Sequence, residues 1–348
     1  MPQKAIVVTA PGKASLVSDR PLPALRDDYI RVKTISVALN PTDWKGIDQR
    51  GAIGGIVGCD YAGIVEEVGP AVSNSFCKGD RICGFAHGCN NLQLEDGGFA
   101  EHIVVKGAAA SPIPDSLSYS EAATLGVGIA TVALMYQSLG LALPSRPISS
   151  TEPEPILIYG GSTATGSLAI QFAKLSGYTV LTTCSPRNFD FVTRLGADVV
   201  FDYHDPNVAN TIRELTKDNL RHVFDTISLK DTARFCDAAL STHGGEYVSL
   251  LLSGIERENV RDRCIVAYTT LGEYFTYGPI EVPAKPEDVS FAANFWKLAY
   301  GLLDEGKVRP HPQRIGKEGL QGVLEGLKLM KDEMVSGEKL VYNVADTP

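Results

Sequence analysis

From residue 156 onward the chain alternates between short apolar runs and helical patterns, and this alternation constrains its fold more than any other feature. Helical spacing follows the first run, with Leu168, Phe172 and Leu175 on one face. Strands that alternate with helices form a parallel sheet covered on both faces, so we predict a doubly wound α/β domain. Its six predicted strands are "ILIY", "YTVLTTC", "DVVF", "HVFDTI", "EYVSLL" and "CIVAYTTLG".

A glycine turn follows the first of these strands. In "YGGSTATG", Gly160 and Gly161 leave the strand, and Gly166 lies where the next helix packs. Such a turn lies at the carboxyl edge of a doubly wound sheet, where a helix N-terminus offers free N–H groups to a pyrophosphate. Hydroxyl groups that can donate to a phosphate stand where further glycine would be usual, at Ser162, Thr163 and Thr165. We predict a dinucleotide site here; the alternative is a turn that only connects a strand to a helix.

The end of the second strand indicates which dinucleotide is bound. The sequence "TTCSPRN" lacks the Asp or Glu that accepts a hydrogen bond from the ribose 2′-hydroxyl of NAD. Ser185 and Arg187 can instead bind a 2′-phosphate, and Tyr203 at the end of the third strand can close the pocket. Charge-assisted hydrogen bonds contribute about 1.5–3 kcal/mol each, so NADPH is the expected cofactor. The alternative is a solvated loop arginine.

The first hundred residues predict a small β-barrel. "DYIRVKTISVALN" places Ile30 and Val32 on one face, and its phase slips near Ile35, where we expect a bulge. Short strands with glycine turns follow, and Ser118 with Glu121 forms a capping box at a helix start. A Pro- and Ser-rich linker covers residues 141–155, and a helix at 289–303 and the strand "GEKLVYNV" are expected to return to the barrel. The predicted divisions are a β-barrel catalytic domain at 1–130, a doubly wound dinucleotide-binding domain at 131–278 and a returning segment at 279–348.

Composition argues against several classes of function. With 32 basic and 41 acidic residues the formal charge is -9, so the chain has no global attraction for nucleic acid or an anionic membrane. No stretch reads as apolar and long enough for a membrane span, and "MPQKAIVV" reads as a first strand rather than a signal peptide. Seven cysteines without a C-x-x-C pair favour reduced thiols in the cytoplasm over disulfides or structural zinc.

Several motifs in order resemble the medium-chain dehydrogenase/reductase family, and the resemblance implies that the barrel is GroES-like and that the doubly wound domain is of the Rossmann type. "GCDYAGIVEEVG" resembles its G-H-E-x-x-G-x-V-x-x-V-G stretch, and "GDRICGF" its G-D-R-V segment. Zinc-dependent members carry their metal ligands in these regions, whereas the corresponding positions here hold Asn40, Cys59, Asp60 and Val127. One thiol and one carboxylate do not make a tetrahedral zinc site, so no metal is expected. The zinc-free branch mostly reduces carbon–carbon double bonds conjugated to a carbonyl.

Within that branch the chain resembles the trans-acting enoyl reductases of fungal polyketide biosynthesis, among them the lovastatin system. The resemblance rests on "LNPTDWKG", "YGGSTATG", "TCSPRNFD", "VFDYHDPN" and "SGEKLVY". Such proteins act with a polyketide synthase whose own enoyl-reductase domain is inactive, so the resemblance implies a synthase partner and a substrate on its acyl carrier domain. It favours a monomer over a homodimer.

The resemblance also implies a set of site residues. The nicotinamide end would lie at Thr42, Asp43, Trp44 and Lys45, and the pyrophosphate at Ser162, Thr163, Ala164 and Thr165. The 2′-phosphate would contact Ser185, Pro186, Arg187, Asn188 and Tyr203, and further cofactor contacts would come from Leu250, Ser336 and Gly337. The substrate residues would be Leu134, Met135, Glu273, Tyr274, Phe275, Thr276 and Tyr277.

The implied reaction transfers a hydride to the β-carbon of an enoyl thioester and a proton to its α-carbon. Lys45 is a candidate proton donor, with ribose or carboxamide binding as the alternative role. Thr131, expected at the start of the helix that joins the domains, could orient the carboxamide or be an ordinary helix threonine. Two other functions stay open: a free-standing quinone or enone reductase, and a non-catalytic NADPH-binding sensor or crystallin-like protein.

Overall fold

The computed structural model describes residues 2–73 and 75–348, so Met1 of the predicted first strand lies outside the described residues. The chain divides into two compact units. The first contains Met1–Ala130 and Ala267–Pro348, and the second contains Thr131–Val266. The first unit therefore includes the C-terminal segment, and the second unit ends before Gly278.

The helices and strands are numbered in chain order. The strands are β1 (Pro2–Ala10), β2 (Lys13–Pro21), β3 (Tyr29–Ala38), β4 (Asp60–Val68), β5 (Arg81–Phe85), β6 (His102–Lys106), β7 (Ala110–Pro112), β8 (Pro155–Tyr159), β9 (Thr179–Cys184), β10 (Val199–Asp202), β11 (His222–Asp225), β12 (Gly245–Ser249), β13 (Val260–Cys264), β14 (Phe275–Tyr277), β15 (Ile280–Val282), β16 (Gln313–Ile315) and β17 (Lys339–Asn343). The α-helices are α1 (Pro41–Gln49), α2 (Tyr119–Ala122), α3 (Gly126–Leu139), α4 (Ala164–Leu175), α5 (Phe189–Arg194), α6 (Val208–Leu215), α7 (Lys230–Ala239), α8 (Pro286–Asp304) and α9 (Gly319–Lys331).

The first unit is built on a seven-stranded sheet. Its strands follow the order β16-β17-β3-β4-β5-β7, and β6 also pairs with β3. The register between β3 and β4 shifts between Thr34 and Ser36, which confirms the predicted bulge at Ile35. Strand β17 pairs antiparallel with β3, so the last strand of the chain returns to the barrel as predicted.

The second unit contains the predicted parallel sheet, in the order β10-β9-β8-β11-β12-β13. Tyr159 lies beside Thr183, and Cys184 lies beside Asp202. Because parallel strands end at the same edge, β8, β9 and β10 bring their carboxyl ends together there. The doubly wound fold is confirmed.

The sixth strand of this sheet was predicted in the wrong place. The structure uses "VRDRC" as β13, whereas the apolar run after it forms a buried 3-10 helix at Ala267–Leu271, which belongs to the first unit. An edge strand has a neighbour on one side only, so β13 tolerates the exposed side chains of Arg261 and Asp262. The apolar run was the stronger sequence signal, but it reflects burial rather than strand pairing.

The expectation that no segment is long and apolar enough to span a membrane was also wrong. Tyr119–Leu139 reaches a mean hydropathy of 1.4 over such a length, yet 83% of its most apolar part is buried inside the structure. Burial of this kind is typical of a core helix. The capping box of Ser118 and Glu121 is confirmed, but the helix that it begins, α2, is only one turn long.

The buried ion pair of Lys339 and Asp60 connects four parts of the first unit through hydrogen bonds. The Lys339 Nζ donates hydrogen bonds to Asp60 Oδ2 at 2.5 Å, to Asn40 Oδ1 at 2.9 Å and to the Thr124 carbonyl at 3.4 Å. The other oxygen of Asp60 accepts the Val127 N–H at 2.6 Å. These bonds join β4 and β17 to the residue before α1 and to the start of α3.

Replacement of Lys339 by Met should destabilise the protein strongly, because the Asp60 carboxylate would stay buried without a counter-charge. We expect the free energy of unfolding to fall by about 3–5 kcal/mol, measured by urea denaturation. The matched control is Lys331→Met, which removes an exposed ion pair with Asp48 and should cost less than about 1 kcal/mol. The double variant Asp60→Asn/Lys339→Met should recover part of the loss; equal effects of the two lysine substitutions would contradict the proposed role of the pair.

Candidate functional site

The glycine turn after β8 is shaped by close backbone approach. Gly160 has a φ of +82°, which favours glycine. A Cβ at Gly161 would lie 2.1 Å from Thr182 Oγ1, and one at Gly166 would lie 2.3 Å from the Gly160 carbonyl. The turn therefore lies directly against β9, and α4 begins without an intervening loop. Because Ala164 and Thr165 are the first residues of α4, their N–H groups have no partner inside the helix.

Thr163 has a structural role that the sequence did not reveal. Its hydroxyl accepts the Gly166 N–H at 2.9 Å and donates to Thr226 Oγ1 at 3.1 Å. The Thr163 hydroxyl thus caps α4, and its contact with a phosphate stays a prediction. Ser162 and Thr165 are half-buried, and their hydroxyls make no hydrogen bond to a described residue. They, with the free helix N–H groups, fit the phosphates of a dinucleotide.

The ends of β9 and β10 form a second polar group at the same edge. Ser185 donates to the Tyr203 hydroxyl at 3.4 Å, and Tyr203 is 41% exposed. Arg187 is exposed in a short 3-10 helix, Pro186–Asn188, and makes no ion pair with any described residue. Asp202 is the nearby carboxylate, and it accepts the N–H and the Nδ1 of His204 at 3.0 and 2.7 Å. An exposed cation and two hydroxyls thus lie beside an acid that already has a partner.

Asp225, which the sequence analysis did not single out, organises the next turn along this edge. Its buried carboxylate accepts the N–H groups of Ile227 and Ser228 at 2.9 and 2.8 Å and the hydroxyl of Tyr247. Burial raises the pKa of Asp225, although these hydrogen bonds oppose the shift. The Ser228 hydroxyl in turn accepts the N–H of Leu250, a predicted cofactor contact, at 2.7 Å. The available signal was the acid within "HVFDTI", which is the last residue of β11.

In the first unit, the predicted nicotinamide residues lie in the first turns of α1. The carboxylate of Asp43 is buried and caps the helix by accepting the Asn40 N–H at 2.7 Å. Burial raises the pKa of Asp43 to about 7, and the hydrogen bond from Asn40 opposes the shift. Burial also lowers the pKa of Lys45, and the positive charge of Arg50 adds to this effect. The Trp44 ring centroid lies 5.5 Å from Lys45 Nζ.

A polar cluster surrounds Thr42. The Tyr268 hydroxyl lies 3.3 Å from Thr42 Oγ1 and 3.2 Å from Cys59 Sγ, and the His87 ring stacks on Tyr268 at 3.8 Å. Burial lowers the pKa of His87 to about 3 and raises the pKa of Cys59, so both groups are neutral at physiological pH. Sequence reasoning missed this cluster because its members are far apart in the chain.

The residues of the predicted substrate segment 273–277 contact different parts of the first unit. Phe275 is buried and meets the His87 ring edge-on at 5.2 Å, and Tyr277 stacks under Arg50 at 4.2 Å. Thr276 exchanges hydrogen bonds with Asn91 at 2.7 and 3.0 Å, whereas Tyr274 is exposed. Glu273 accepts the Tyr29 hydroxyl at 2.6 Å and the Lys106 ammonium at 3.0 Å. The structure thus brings Phe275 and Tyr277, but not Glu273, to the polar cluster around Thr42.

The remaining predicted residues lie elsewhere. Helix α3 begins at Gly126, so Thr131 lies in its second turn and not at its start. Leu134 and Met135 on the same helix are 3% and 0% exposed. Ser336 and Gly337 lie in the turn before β17, where Gly337 has a φ of +70°.

Comparison with known proteins matches both units. Residues 26–115 match the family "Alcohol dehydrogenase GroES-like domain", and residues 164–280 match the family "Zinc-binding dehydrogenase". Trans-enoyl reductase TOXD of Cochliobolus carbonum is 58% identical, over 84% of this chain and 98% of its own length. Trans-enoyl reductase resD of Aspergillus sclerotiorum is 47% identical, over 98% of this chain and 100% of its own length. The predicted resemblance is confirmed.

A solved structure supports the same fold. An alcohol dehydrogenase superfamily protein from Novosphingobium aromaticivorans superposes with a TM-score of 0.80 at 22% identity, covering 98% of this chain and 99% of that one. At this identity the likeness concerns the fold alone. The GroES-like barrel and the Rossmann-type sheet are both confirmed.

The positions expected for zinc ligands do not fit a catalytic zinc. Lys339 already binds the oxygens of Asn40 and Asp60, and Cys59 lies against the Tyr268 hydroxyl. The Val127 side chain has no atom that can bind a metal, and the Val127 N–H donates to Asp60. Within residues 2–73 and 75–348, no three His, Cys, Asp or Glu side chains lie close enough together to hold a metal ion.

The raised pKa of Asp43 should appear as a pH dependence of stability. The folded pKa, about 7, exceeds the ordinary value of 3.8, so the folded state holds this proton more tightly than the unfolded state. The free energy of unfolding should therefore fall as pH rises from about 4 to about 7, by on the order of 3 kcal/mol at about 1.4 kcal/mol per pKa unit.

Urea denaturation across this pH range measures the effect. Asp43→Asn should flatten the dependence, whereas Asp48→Asn, an exposed position on the same helix, should leave it nearly unchanged. If Asp43→Asn kept the slope of the wild type, the carboxyl would not titrate in this range.

Proposed function

Because the chain belongs to the medium-chain dehydrogenase/reductase family, whose Rossmann-type domain implies a nicotinamide cofactor, we propose that it is a trans-acting enoyl reductase. In this proposal it uses NADPH to reduce the α,β-double bond of a polyketide thioester held on the carrier domain of a synthase. One observation carries the proposal: the 58% identity to a protein named trans-enoyl reductase, over 98% of that protein's length. Relatives at 47% and 45% identity carry the same name.

The choice of NADPH is supported by the edge of the sheet. Strand β9 ends without an acid, and Ser185, Arg187 and Tyr203 lie next to that end. Asp202 carries a carboxylate that could repel a 2′-phosphate. One oxygen of this carboxylate is hydrogen-bonded to the Nδ1 of His204. Arg187 has no internal partner among the described residues, so its charge is available to a ligand.

A nicotinamide cofactor, when bound, would supply the hydride that adds to the β-carbon of the enoyl thioester. Negative charge then develops on the thioester oxygen, and the α-carbon needs a proton. Lys45 is the candidate donor, because its lowered pKa makes its ammonium a stronger acid than an exposed lysine. Thr42 lies three residues earlier on the same helix, and its hydroxyl contacts Arg50 and Tyr268.

The proposal includes a monomer in the cytoplasm that meets its synthase partner transiently. Exposed charges on β13, at Arg261 and Asp262, oppose edge-to-edge pairing of two sheets. The seven cysteines are all free thiols, which suits a reducing compartment. A weak contact with the synthase can suffice, because an assembly raises the effective concentration of a tethered chain.

Arg187→Glu should weaken NADPH binding and leave NADH binding almost unchanged. Loss of one or two charge-assisted hydrogen bonds corresponds to a tenfold to hundredfold increase in Kd, measured by titration of nicotinamide fluorescence. Arg194→Glu, an exposed arginine on α5, is the matched control and should change neither Kd by more than about threefold. Equal affinity of the wild type for NADH and NADPH would refute the assignment.

Short enoyl thioesters should be slow but genuine substrates. NADPH oxidation is measured with crotonyl-pantetheine and with simple quinones, and the protein is then added to its partner synthase for product analysis. We expect thioester reduction, poor quinone turnover and a more reduced polyketide when the protein is present. Fast quinone turnover with no thioester reduction and unchanged products would instead favour the free-standing reductase.

A further inference from the structure

Arg50 lies at the end of α1 and carries a charge without a counter-charge. Its Nη2 donates to the carbonyl and the hydroxyl of Thr42, both at 3.0 Å, and its guanidinium stacks on the Tyr277 ring at 4.2 Å. The Nε is buried and donates to no described group. No described carboxylate lies within 4.0 Å of the side chain, in contrast to most half-buried arginines of this unit.

Arg26 provides the internal comparison. It stacks on Tyr29 at 3.5 Å, much as Arg50 stacks on Tyr277, but it also forms an ion pair with Asp96. Removal of a charge from water is costly unless an opposite charge compensates for it. Both arginines thus stack on a tyrosine ring, but among the described residues only Arg26 has a carboxylate partner.

The groups around Arg50 do not supply the missing negative charge. The nearby His87 and Cys59 are neutral, as described above, and burial likewise raises the pKa of the Tyr268 hydroxyl. The Arg50 charge lowers the pKa of both Lys45 and His87. The Arg50 guanidinium thus places a positive charge beside Thr42 and Tyr277, which are predicted site residues, without a carboxylate of the described residues within 4.0 Å.

We propose that Arg50 is a catalytic residue, whose free guanidinium N–H groups bind the substrate oxygen that becomes negatively charged during reduction. This inference rests on the proposed function. It links two groups of predicted residues, because Arg50 contacts both Thr42 and Tyr277. No sequence motif marked it.

In this reaction Arg50 would only stabilise negative charge, because it takes no part in the bonds that form or break. The hydride pair forms the new C–H bond at the β-carbon, the π pair moves toward the carbonyl, and the oxygen gains the negative charge. A proton from Lys45 or water then forms the C–H bond at the α-carbon. Arg50 keeps its own proton throughout, because a guanidinium does not deprotonate in proteins. The Thr42 oxygen, which accepts from Arg50 and lies 3.3 Å from the Tyr268 hydroxyl, helps to hold the guanidinium in place.

The test compares Arg50→Met, which removes the charge, with Arg50→Lys, which keeps it but loses the planar donor fork. With crotonyl-pantetheine, Arg50→Met should lower kcat by about a hundredfold, as loss of one oxyanion donor does, and Arg50→Lys by a smaller factor. The Kd for NADPH should stay within about twofold in both variants, and circular dichroism should verify their folding.

A second measurement does not depend on turnover. Calorimetric titration of the protein with NADP⁺ present compares crotonate, an anion, with crotonamide, its neutral counterpart. The wild type should bind crotonate more tightly, and Arg50→Met should lose this preference while Arg50→Lys keeps part of it. If the wild type reduced no thioester, the proposed function would fail. The preference for crotonate over crotonamide would still show whether Arg50 binds a negatively charged oxygen.

Two results would overturn the inference. One is a kcat for Arg50→Met within about threefold of the wild type together with an unchanged preference for crotonate. The other is a loss of activity in both variants that follows NADPH affinity or unfolding, which would make Arg50 a structural residue of α1.

Discussion

The buried contact between the Lys339 ammonium and the Asp60 carboxylate is the constraint on which the barrel unit depends. Lys339 is 3% exposed and Asp60 is 0% exposed, so neither charge could be buried without the other. Their remaining hydrogen bonds reach Asn40, which precedes α1, and Val127, which begins α3. The pair thereby fixes the helix that carries Thr42 and Lys45 and explains why positions that bind zinc in other dehydrogenases can hold neutral or paired groups here.

The same pair sets the electrostatics around α1. Asp43 lies near Asp60, whose negative charge raises its pKa, while the Lys339 charge lowers it; burial outweighs both. The side chain of Arg50, the residue after the helix, reaches back to Thr42, and no described carboxylate pairs with it. The first turn of this nine-residue helix thus lies beside both a buried acid with a raised pKa and a cation without an ion-pair partner among the described residues.

The sequence predicted those features whose signals are local. Periodicity revealed the parallel sheet, the phase slip revealed the bulge at Ile35, and the pair Ser118 and Glu121 revealed a helix start. The position of β13 was predicted wrongly, because the buried run at Ala267–Leu271 is more apolar than the edge strand before it. The cap formed by Thr163 has a local partner, the Gly166 N–H, and was missed because the hydroxyl was assigned to a phosphate; only its second partner, Thr226, lies in another turn. The cluster of Thr42, Tyr268 and Arg50 was unpredictable because its contacts depend on tertiary packing and not on spacing.

The return of β17 to the barrel has a consequence for how the protein is made. The second unit is one continuous stretch, Thr131–Val266, and can fold once that stretch has left the ribosome. The barrel unit is synthesised in two parts, and β3 has no β17 beside it until residue 343 has emerged. Until then Asp60 lacks Lys339 and an unpaired strand edge is exposed, which is the condition that favours aggregation. Slow translation of residues 267–348 would therefore endanger the barrel more than the parallel sheet that precedes them.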